Sequence, residues 1–102
     1  MNEFKEGYHT YYVYIITNKN KTVLYIGVTN NLKLRIQQHQ DNIKSNKNTF
    51  ASRYNACFLI YYEKFTWIQE AIAREKELKG WRREKKMELI ARSNPTMEFI
   101  EL

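Results

Sequence analysis

Glu75 is predicted to lie on the inward face of a helix, where a carboxylate must be paired, hydrogen-bonded or bound to a metal. Residues 67–79 have the apolar spacing of a helix, and a helical wheel places Glu75 near the middle of the inward face, with Lys79 on the same side. A carboxylate taken out of water is costly unless it is paired, hydrogen-bonded or bound to a metal. Glu75 is therefore a candidate metal ligand, and the alternative is a buried ion pair, for example with Arg35.

Arg35 and His39 form a second candidate group, on an earlier helical segment. Their i, i+4 spacing makes them neighbours on a helix surface. Both fall on or beside the apolar stripe of Leu32, Ile36 and Ile43, so both are expected to face the sheet. A guanidinium stays charged and offers a planar fork that matches a phosphate. The alternative is a core histidine with an arginine that reaches past it to water.

Two tyrosines lie on neighbouring strands of a predicted hairpin. Residues 12–16 and 23–26 are rich in β-branched and aromatic residues, as strands are, and a polar turn with two asparagines joins them. Tyr14 and Tyr25 are thereby placed on adjacent strands. Gly27, which has no Cβ, allows a bulge or a close backbone approach.

A third strand is predicted from Tyr54 to Phe65. Its run is apolar almost throughout, so we expect it to be the central strand, covered on both faces, with Cys57 in the core. Tyr61 and Tyr62 should point to opposite faces. Residues 41–53 are polar and are predicted to be the end of the first helix and a loop.

Capping signals predict where the helices begin and end. Asn30 is the expected N-cap of the first helix, and Thr66 opens the second with a capping box. Gly80 ends the second helix. A third helix, Trp81 to Arg92, stops before Pro95. The inward face of the second helix is predicted to consist of Trp67, Ile68, Ala71, Ile72 and Leu78.

Size and charge narrow the function classes. A chain of 102 residues suits one small domain, 1–102, with a core of about residues 11–92 between a loose N-terminal arm and a tail of variable order, 96–102. A net charge of +6 favours a polyanionic partner such as nucleic acid, and solubility alone is the alternative. The single cysteine excludes an internal disulfide and a Cys-rich zinc site. No signal peptide or membrane-spanning run is found, so the cytoplasm is the expected location.

The hairpin resembles the paired signature of the GIY-YIG nuclease superfamily. Tyr25-Ile26-Gly27 matches the second half without change. In the first half, Tyr12 replaces the name-giving glycine and Val13 replaces isoleucine, whereas Tyr14, the residue thought to do chemistry, is kept.

Two further motifs strengthen the resemblance. Arg35-x-x-x-His39 matches the helix motif of the superfamily, and Glu70 to Glu75 resembles the segment that carries its metal-binding glutamate. Together with the two signature halves, these elements occur in the correct order and span roughly residues 11–92.

The resemblance implies an endonuclease that hydrolyses phosphodiester bonds of DNA, with RNA left open, using one divalent metal ion. Arg35 would contact the scissile phosphate, and His39 would assist proton transfer or phosphate binding. Glu75 would hold the ion, Mg²⁺ or alternatively Mn²⁺, because Mg²⁺ accepts one or two carboxylates plus water and substrate oxygens. A tyrosine could deprotonate the attacking water if nearby cations lower its pKa from about 10. Tyr25 is the first choice for this base, with Tyr14 orienting the water, and the reverse assignment stays open.

Further nucleic-acid contacts are predicted after the second helix. Lys79-Gly80-Trp81, followed by basic residues, resembles a group of small, stand-alone bacterial members related to the N-terminal nuclease domain of the excision-repair C subunit, which points to DNA repair. A solvated basic face is the alternative, and Trp81 could stack on a base or simply pack. The candidate contact residues are Lys79, Trp81, Arg82, Arg83 and Lys86.

The whole pattern predicts an α/β sandwich, in which a small three-stranded antiparallel sheet is flanked by helices in the order β-β-α-β-α-α. Two other functions stay open. One is a catalytically inactive nucleic-acid-binding module on the same scaffold, which would show salt-sensitive binding without cutting. The other is a protein-interaction adaptor whose basic helix meets an acidic partner. Neither alternative needs Tyr14, Tyr25, Arg35 and Glu75 together, so their joint presence favours the enzyme.

Overall fold

A three-stranded antiparallel sheet organises the computed structural model, which describes residues 10–102. Four helices within this range flank the sheet, so the predicted α/β class is confirmed, with one more helix than expected. The arm predicted for residues 1–10 lies outside the described residues, except for Thr10. In chain order the elements are β1 (Tyr11–Thr17), β2 (Leu24–Thr29), α1 (Leu32–Lys44), α2 (Phe50–Arg53), β3 (Phe58–Phe65), α3 (Ile68–Lys79) and α4 (Arg83–Ser93).

The central strand is β1, so the prediction that the third strand would be central is wrong. The strand order is β2-β1-β3, and every residue from Val13 to Thr17 is buried. The run of β3 is apolar because helices cover both faces of this strand, and the C-terminal segment covers its outer edge. There the backbone N–H of Ile100 donates to the carbonyl of Leu59 over 2.8 Å, and the Asn94 side-chain amide donates to the carbonyl of Ile60 over 3.1 Å.

The sheet has two apolar faces. One packs on α3 and α4 around Val13 and Ile15, and the other packs on α1 and α2 around Tyr14 and Leu59. The pairing of β1 with β3 shifts between Ile15 and Ile16. Such a bulge locally interrupts the ladder and bends the strand.

Tyr61 and Tyr62 belong to opposite faces, as predicted. Tyr61 joins the cluster under α3 and α4, and Tyr62 packs against the cluster under α1 and α2. At most one of the two can therefore approach any group on α1.

Asn18 holds the turn between β1 and β2. Its side-chain oxygen accepts the N–H of Thr22 over 2.8 Å, and its amide donates to the Thr22 hydroxyl over 2.7 Å. Lys21 takes the left-handed conformation, with φ of 58°. The predicted polar turn is confirmed, although a lysine rather than an asparagine adopts the positive φ.

The first helix begins one residue later than predicted. Its N-cap is Asn31, not Asn30, and the Asn31 side chain accepts the N–H of Leu34 over 3.1 Å. The helix continues to Lys44, so part of the predicted loop 41–53 is helical.

A short helix, α2, occupies the rest of that predicted loop. Thr49 caps it, and the side chains of Thr49 and Ser52 form a reciprocal capping box. Ala51, the second residue of α2, is buried in the core. β3 therefore starts at Phe58 rather than at Tyr54.

The start of α3 also differs from the prediction. The N-cap is Trp67, which makes no side-chain cap hydrogen bond with the described part of the chain, so the capping box predicted at Thr66 is wrong. Trp67 is 62% exposed and Ile72 39% exposed, which removes both from the predicted inward face, whereas Ala71 and Leu78 are buried. Trp67 precedes the first turn of α3, so helical periodicity does not determine which way its side chain points.

The ends of α3 and α4 lie close to the predicted positions. Gly80 is the C-cap of α3, with a right-handed φ of −82°. α4 starts at Arg83, two residues after Trp81, and ends just before Asn94 and Pro95. No helix in residues 10–102 has the length and apolar character that crossing a membrane requires.

The C-terminal segment is fixed along β3, contrary to the expectation of variable order. The ring of Phe99 stacks on Phe58 with 4.5 Å between centroids, and the Asn94 side chain bonds to both the N–H and the carbonyl of Glu98. Cys57 lies half-buried beside this segment and is not a full member of the core.

Candidate active site

The hydroxyl of Tyr14 is the meeting point of three of the five predicted catalytic residues, Tyr14, Arg35 and His39. Tyr14 lies on β1 and is 1% exposed. Its oxygen accepts a hydrogen bond from Arg35 Nε over 3.3 Å and lies 2.9 Å from His39 Nε2. Both partners lie on α1, one turn apart, as their i, i+4 spacing predicted.

Gly27 makes room for this tyrosine. The two residues face each other across β1 and β2. A Cβ placed on Gly27 would lie only 2.6 Å from Cζ of the Tyr14 ring, which is well inside the contact distance of about 3.5–4.0 Å between carbons. The predicted close approach at Gly27 is confirmed, and the approaching group is the phenol ring.

Burial and charge determine the protonation of this group. Burial raises the pKa of Tyr14 to about 12, although the hydrogen bond and charge of Arg35 partly oppose this shift. Burial also lowers the pKa of His39 to about 4, and the positive charge of Arg35 adds to that effect. At neutral pH, Tyr14 is therefore a protonated phenol and His39 an uncharged imidazole.

Arg35 remains charged in this setting. Burial works to lower its pKa, but the neighbouring phenols of Tyr14 and Tyr25 outweigh burial and raise the pKa above its ordinary value. The guanidinium also donates from Nη1 to the side chain of Gln38 over 3.0 Å. A fixed positive charge thus lies beside both tyrosines.

The hydrogen bonds favour one direction of proton sharing. Arg35 donates to one lone pair of the Tyr14 oxygen, so the phenol can donate its own proton to Nε2 of His39. The proton of the neutral imidazole then lies on Nδ1, which is buried without a hydrogen-bond partner in the described part of the chain. His39 is thus a neutral acceptor that holds the phenol in place.

Tyr25 completes the aromatic group from β2. Its ring meets His39 edge-on, with 5.4 Å between centroids, and is half-buried. On its other side it stacks on Phe50 of α2 with 6.0 Å between centroids. Both tyrosines of the signature therefore contact the same imidazole.

Glu75 lies on α3, which packs on the other face of the sheet from α1. Its side chain is 19% exposed, and its negative charge adds, as the smallest of the causes, to the raised pKa of Tyr14. Oε2 of Glu75 pairs with Nζ of Lys79 at 3.0 Å, so the ion pair is made within α3 rather than with Arg35.

The donor set suits an ion held mainly by water and substrate. Residues 10–102 contain no cluster of three or more histidine, cysteine or acidic side chains that could enclose a metal. Glu75 offers a half-buried carboxylate, and its partner Lys79 is 53% exposed and can turn away. A single carboxylate with retained waters is an arrangement that Mg²⁺ accepts, so the residues present fit such an ion.

An ion-pair network that sequence reasoning missed anchors α3 to β3. Arg74 donates to both carboxylate oxygens of Glu63, from Nε over 2.9 Å and from Nη2 over 3.0 Å, and Nη1 reaches Glu77 over 3.0 Å. Tyr61 donates to the same carboxylate of Glu63. Because Arg74 and Glu75 are consecutive, this two-point contact also limits where Glu75 can lie. The sequence signal for this network was Glu63, a glutamate within the apolar run of β3.

Two of the predicted nucleic-acid contacts make contacts with other side chains of the protein. Trp81 is half-buried, with the guanidinium of Arg74 5.2 Å and the ammonium of Lys85 4.1 Å from its ring centroid. Lys79 pairs with Glu75. Trp81 packs against these two cations, and its stacking on a base stays a prediction.

The other three predicted contacts lie at the start of α4. Arg82 and Arg83 are exposed, and Lys86 is half-buried. Arg83 also donates to the carbonyl of Lys21 in the hairpin turn over 2.8 Å. These side chains form a basic surface next to α3, and their role as nucleic-acid contacts stays a prediction.

Comparison with known proteins decides the family. A sequence profile of the GIY-YIG catalytic domain matches residues 10–88. The chain belongs to the GIY-YIG family. Two relatives of this GIY-YIG protein are UPF0213 proteins. The one from Staphylococcus haemolyticus is 38% identical over 80 residues, covering 78% of this chain and 93% of the relative. The one from Clostridium perfringens is 35% identical over 90 residues, covering 88% and 92%.

A solved structure agrees with this assignment. The solution NMR structure of a UPF0213 protein from Bacillus halodurans matches this GIY-YIG chain with a TM-score of 0.51 and 30% identity, over 83% of this chain and 86% of that one. The predicted family is confirmed, and GIY-YIG domains form a family of nucleases, which act on nucleic acids.

Proposed function

We propose that this GIY-YIG protein is an endonuclease that hydrolyses phosphodiester bonds of DNA. The observation that carries the proposal is the convergence on one hydroxyl. Arg35 and His39 from α1 meet the Tyr14 oxygen from β1 at 3.3 and 2.9 Å, and Tyr25 of β2 lies against the same imidazole. A structural core needs no charged guanidinium at this position, whereas phosphate chemistry does.

Arg35 is the group that binds the scissile phosphate. Its guanidinium is half-buried and charged, with Nε directed to Tyr14, Nη1 to Gln38 and the phenol of Tyr25 beside it. Nη2 is the nitrogen that we propose faces a phosphate oxygen. As water attacks, negative charge grows on the non-bridging oxygens, and a fixed positive charge stabilises that transition state more than the ground state.

Tyr25 is the proposed base that accepts a proton from the attacking water. Tyr14 suits this role less well, because its pKa of about 12 and its two hydrogen bonds keep it protonated. We assign Tyr14 and His39 to positioning, since the Tyr14 hydroxyl, held by His39, fixes the guanidinium of Arg35.

Glu75 is the proposed ligand of one divalent ion, Mg²⁺ or Mn²⁺. When bound, such an ion neutralises charge on the phosphate and the leaving oxygen. Glu75 itself contributes a half-buried carboxylate, and the contacts of the preceding residue, Arg74, with Glu63 anchor this part of α3 to β3.

A cleavage panel tests the enzyme proposal. Single-stranded, nicked, flapped and branched DNA are incubated with and without Mg²⁺, together with an RNA strand of the same sequence. Glu75→Gln should abolish metal-dependent cutting, whereas Glu77→Gln, on the same helix and half-exposed, should cut like the wild type. Equal cutting by the wild type and Glu75→Gln would remove Glu75 from the site. Salt-sensitive binding without cutting would indicate an inactive binding module.

The identity of the base is tested separately. Tyr25→Phe should lower the cleavage rate by about 10²–10⁴-fold, the usual contribution of a general base, and leave DNA affinity unchanged. Tyr62→Phe is the matched control, because Tyr62 is half-buried on the same face of the sheet and packs edge-on against Tyr12. If Tyr25→Phe stays active and Tyr14→Phe does not, the two tyrosines exchange roles.

A further inference from the structure

Two exposed aromatic rings extend from the candidate site. Phe50 is 48% and Tyr54 44% exposed, although both have large apolar rings. Phe50 stacks on Tyr25 with 6.0 Å between centroids and 27° between planes, and Tyr54 lies 5.0 Å beyond Phe50. We call Phe50 and Tyr54 the aromatic shelf. It continues directly from a ring that contacts His39.

The backbone beneath the shelf is firmly held. The capping box of Thr49 and Ser52 closes the start of α2, and the N–H of Ala56 donates to the carbonyl of Ala51 over 2.7 Å. Ala51 and Ala56 are both buried in the core. Asn55 ends the segment with a left-handed φ of 59°. The small residues thus anchor α2, and the large rings are left facing water.

This arrangement is the reverse of what stability alone favours. Burying an aromatic ring is among the larger stabilising contributions a side chain can make, yet here alanines fill the core and the rings lie outside it. Exposed aromatic rings next to a site are common where nucleobases are bound, because every base has a flat face that can stack.

The surrounding charge identifies the chemistry of the partner. From α1 to the end of α2, residues 32–53 carry five basic side chains and one acidic side chain. The basic side chains are those of Lys33, Arg35, Lys44, Lys47 and Arg53, and the acidic one is that of Asp41. A basic segment that also displays flat rings matches a strand that has both phosphates and exposed bases.

We propose that the aromatic shelf stacks an unpaired base of the DNA strand, next to the phosphate that Arg35 binds. This inference rests on the proposed nuclease function and adds a binding site to it. In an intact duplex each base is covered by its neighbours, so the shelf can engage a base only where the strand is single or locally opened. Phe50 and Tyr54 therefore determine which DNA structures are held in the site.

A binding assay with and without bases isolates the shelf. Fluorescence anisotropy is measured without metal for a labelled thymidine oligonucleotide and for an oligonucleotide of the same length built from abasic nucleotides. Both carry the same phosphates, but only the first can stack. The wild type should bind the thymidine strand more tightly, and the double variant Phe50→Ala/Tyr54→Ala should bind it about 5- to 150-fold more weakly than the wild type does.

The controls separate the shelf from folding and from charge. The double variant should bind the abasic strand as the wild type does, which shows that it is folded and that its phosphate contacts are intact. Trp67→Ala removes another exposed ring, 62% exposed at the start of α3, and should change neither affinity.

Several results would overturn the inference, and they distinguish a failure of the shelf from a failure of the nuclease proposal. If the wild type binds and cuts DNA but prefers neither strand, or if the double variant retains the preference, the shelf binds no base and the nuclease proposal stands. If the wild type binds no strand and cuts none, the proposed function fails together with the shelf. Equal losses on both strands would assign Phe50 and Tyr54 to the fold.

Discussion

Adding a single methyl group at Gly27 should create a steric clash with the ring of Tyr14. In Gly27→Ala, the new Cβ would lie 2.6 Å from Cζ and 2.9 Å from Cε2 of the phenol ring. The ring cannot move aside at low cost, because it is buried and its hydroxyl is bonded to Arg35 and His39. We expect the free energy of unfolding to fall by about 1–3 kcal/mol, the range measured for overpacked cores.

The backbone itself should accept the alanine. Neither Gly27 nor Gly80, the described glycines, has a positive φ. Where the conformation is compatible, Gly→Ala stabilises by about 0.4–1 kcal/mol because the unfolded chain loses freedom. In a Tyr14→Leu background, which lacks the clashing ring atoms, Gly27→Ala should therefore be neutral or slightly stabilising.

A double-mutant cycle measures this difference. Urea unfolding of the wild type, both single variants and the double variant, followed by tryptophan fluorescence, gives four free energies of unfolding. The coupling between Gly27 and Tyr14 should be about 1–3 kcal/mol, well above the scatter of about 0.3–0.5 kcal/mol for independent sites. A cost of Gly27→Ala that is the same in both backgrounds would refute the steric explanation and indicate a backbone requirement.

Three further predictions follow from other parts of the structure. The pKa of His39 is about 4 in the folded state and about 6.5 in the unfolded state, so the unfolded state binds more protons between these pH values. The free energy of unfolding should therefore fall by up to about 3 kcal/mol as pH drops from 6.5 to 4. In urea unfolding, His39→Gln should show a shallower pH dependence than the wild type. Arg74→Met leaves the Glu63 carboxylate, about one-fifth exposed, without its bidentate partner, and should lower the free energy of unfolding by about 1–3 kcal/mol in urea; an unchanged midpoint would show that water replaces the pair. Phe99→Ala removes the ring stacked on Phe58 at 4.5 Å and should loosen the tail, seen as faster amide exchange of Ile100 with little change at Tyr14.

Part of the site could be predicted because its spacing is local. Arg35 and His39 are four residues apart on one helix, and their shared face follows from helix geometry alone. Tyr14 and Tyr25 lie on two strands joined by a short turn, so their proximity follows from the hairpin. The inward position of Glu75 followed from the wheel as well, and its side chain is 19% exposed.

Other features depend on contacts between distant segments and could not be predicted. The apolar run of β3 suggested a central strand, because a continuous apolar run reports that both faces are covered and not which neighbour covers an edge. The tail around Ile100 supplies that cover from about forty residues away. Likewise, Lys79 rather than Arg35 pairs with Glu75, since the choice of partner depends on side-chain positions that a helical wheel does not give.

The sequence by itself determined the family, the α/β class, the hairpin and the side chains that could do phosphate chemistry, because these depend on residue type and on spacing within single elements. Only the tertiary structure decided that β1 is central, that α2 exists and leaves Phe50 and Tyr54 facing water, and that Arg35 and His39 share the Tyr14 oxygen. The physical reason is that each of these results from competition between distant segments for the same space and the same hydrogen bonds.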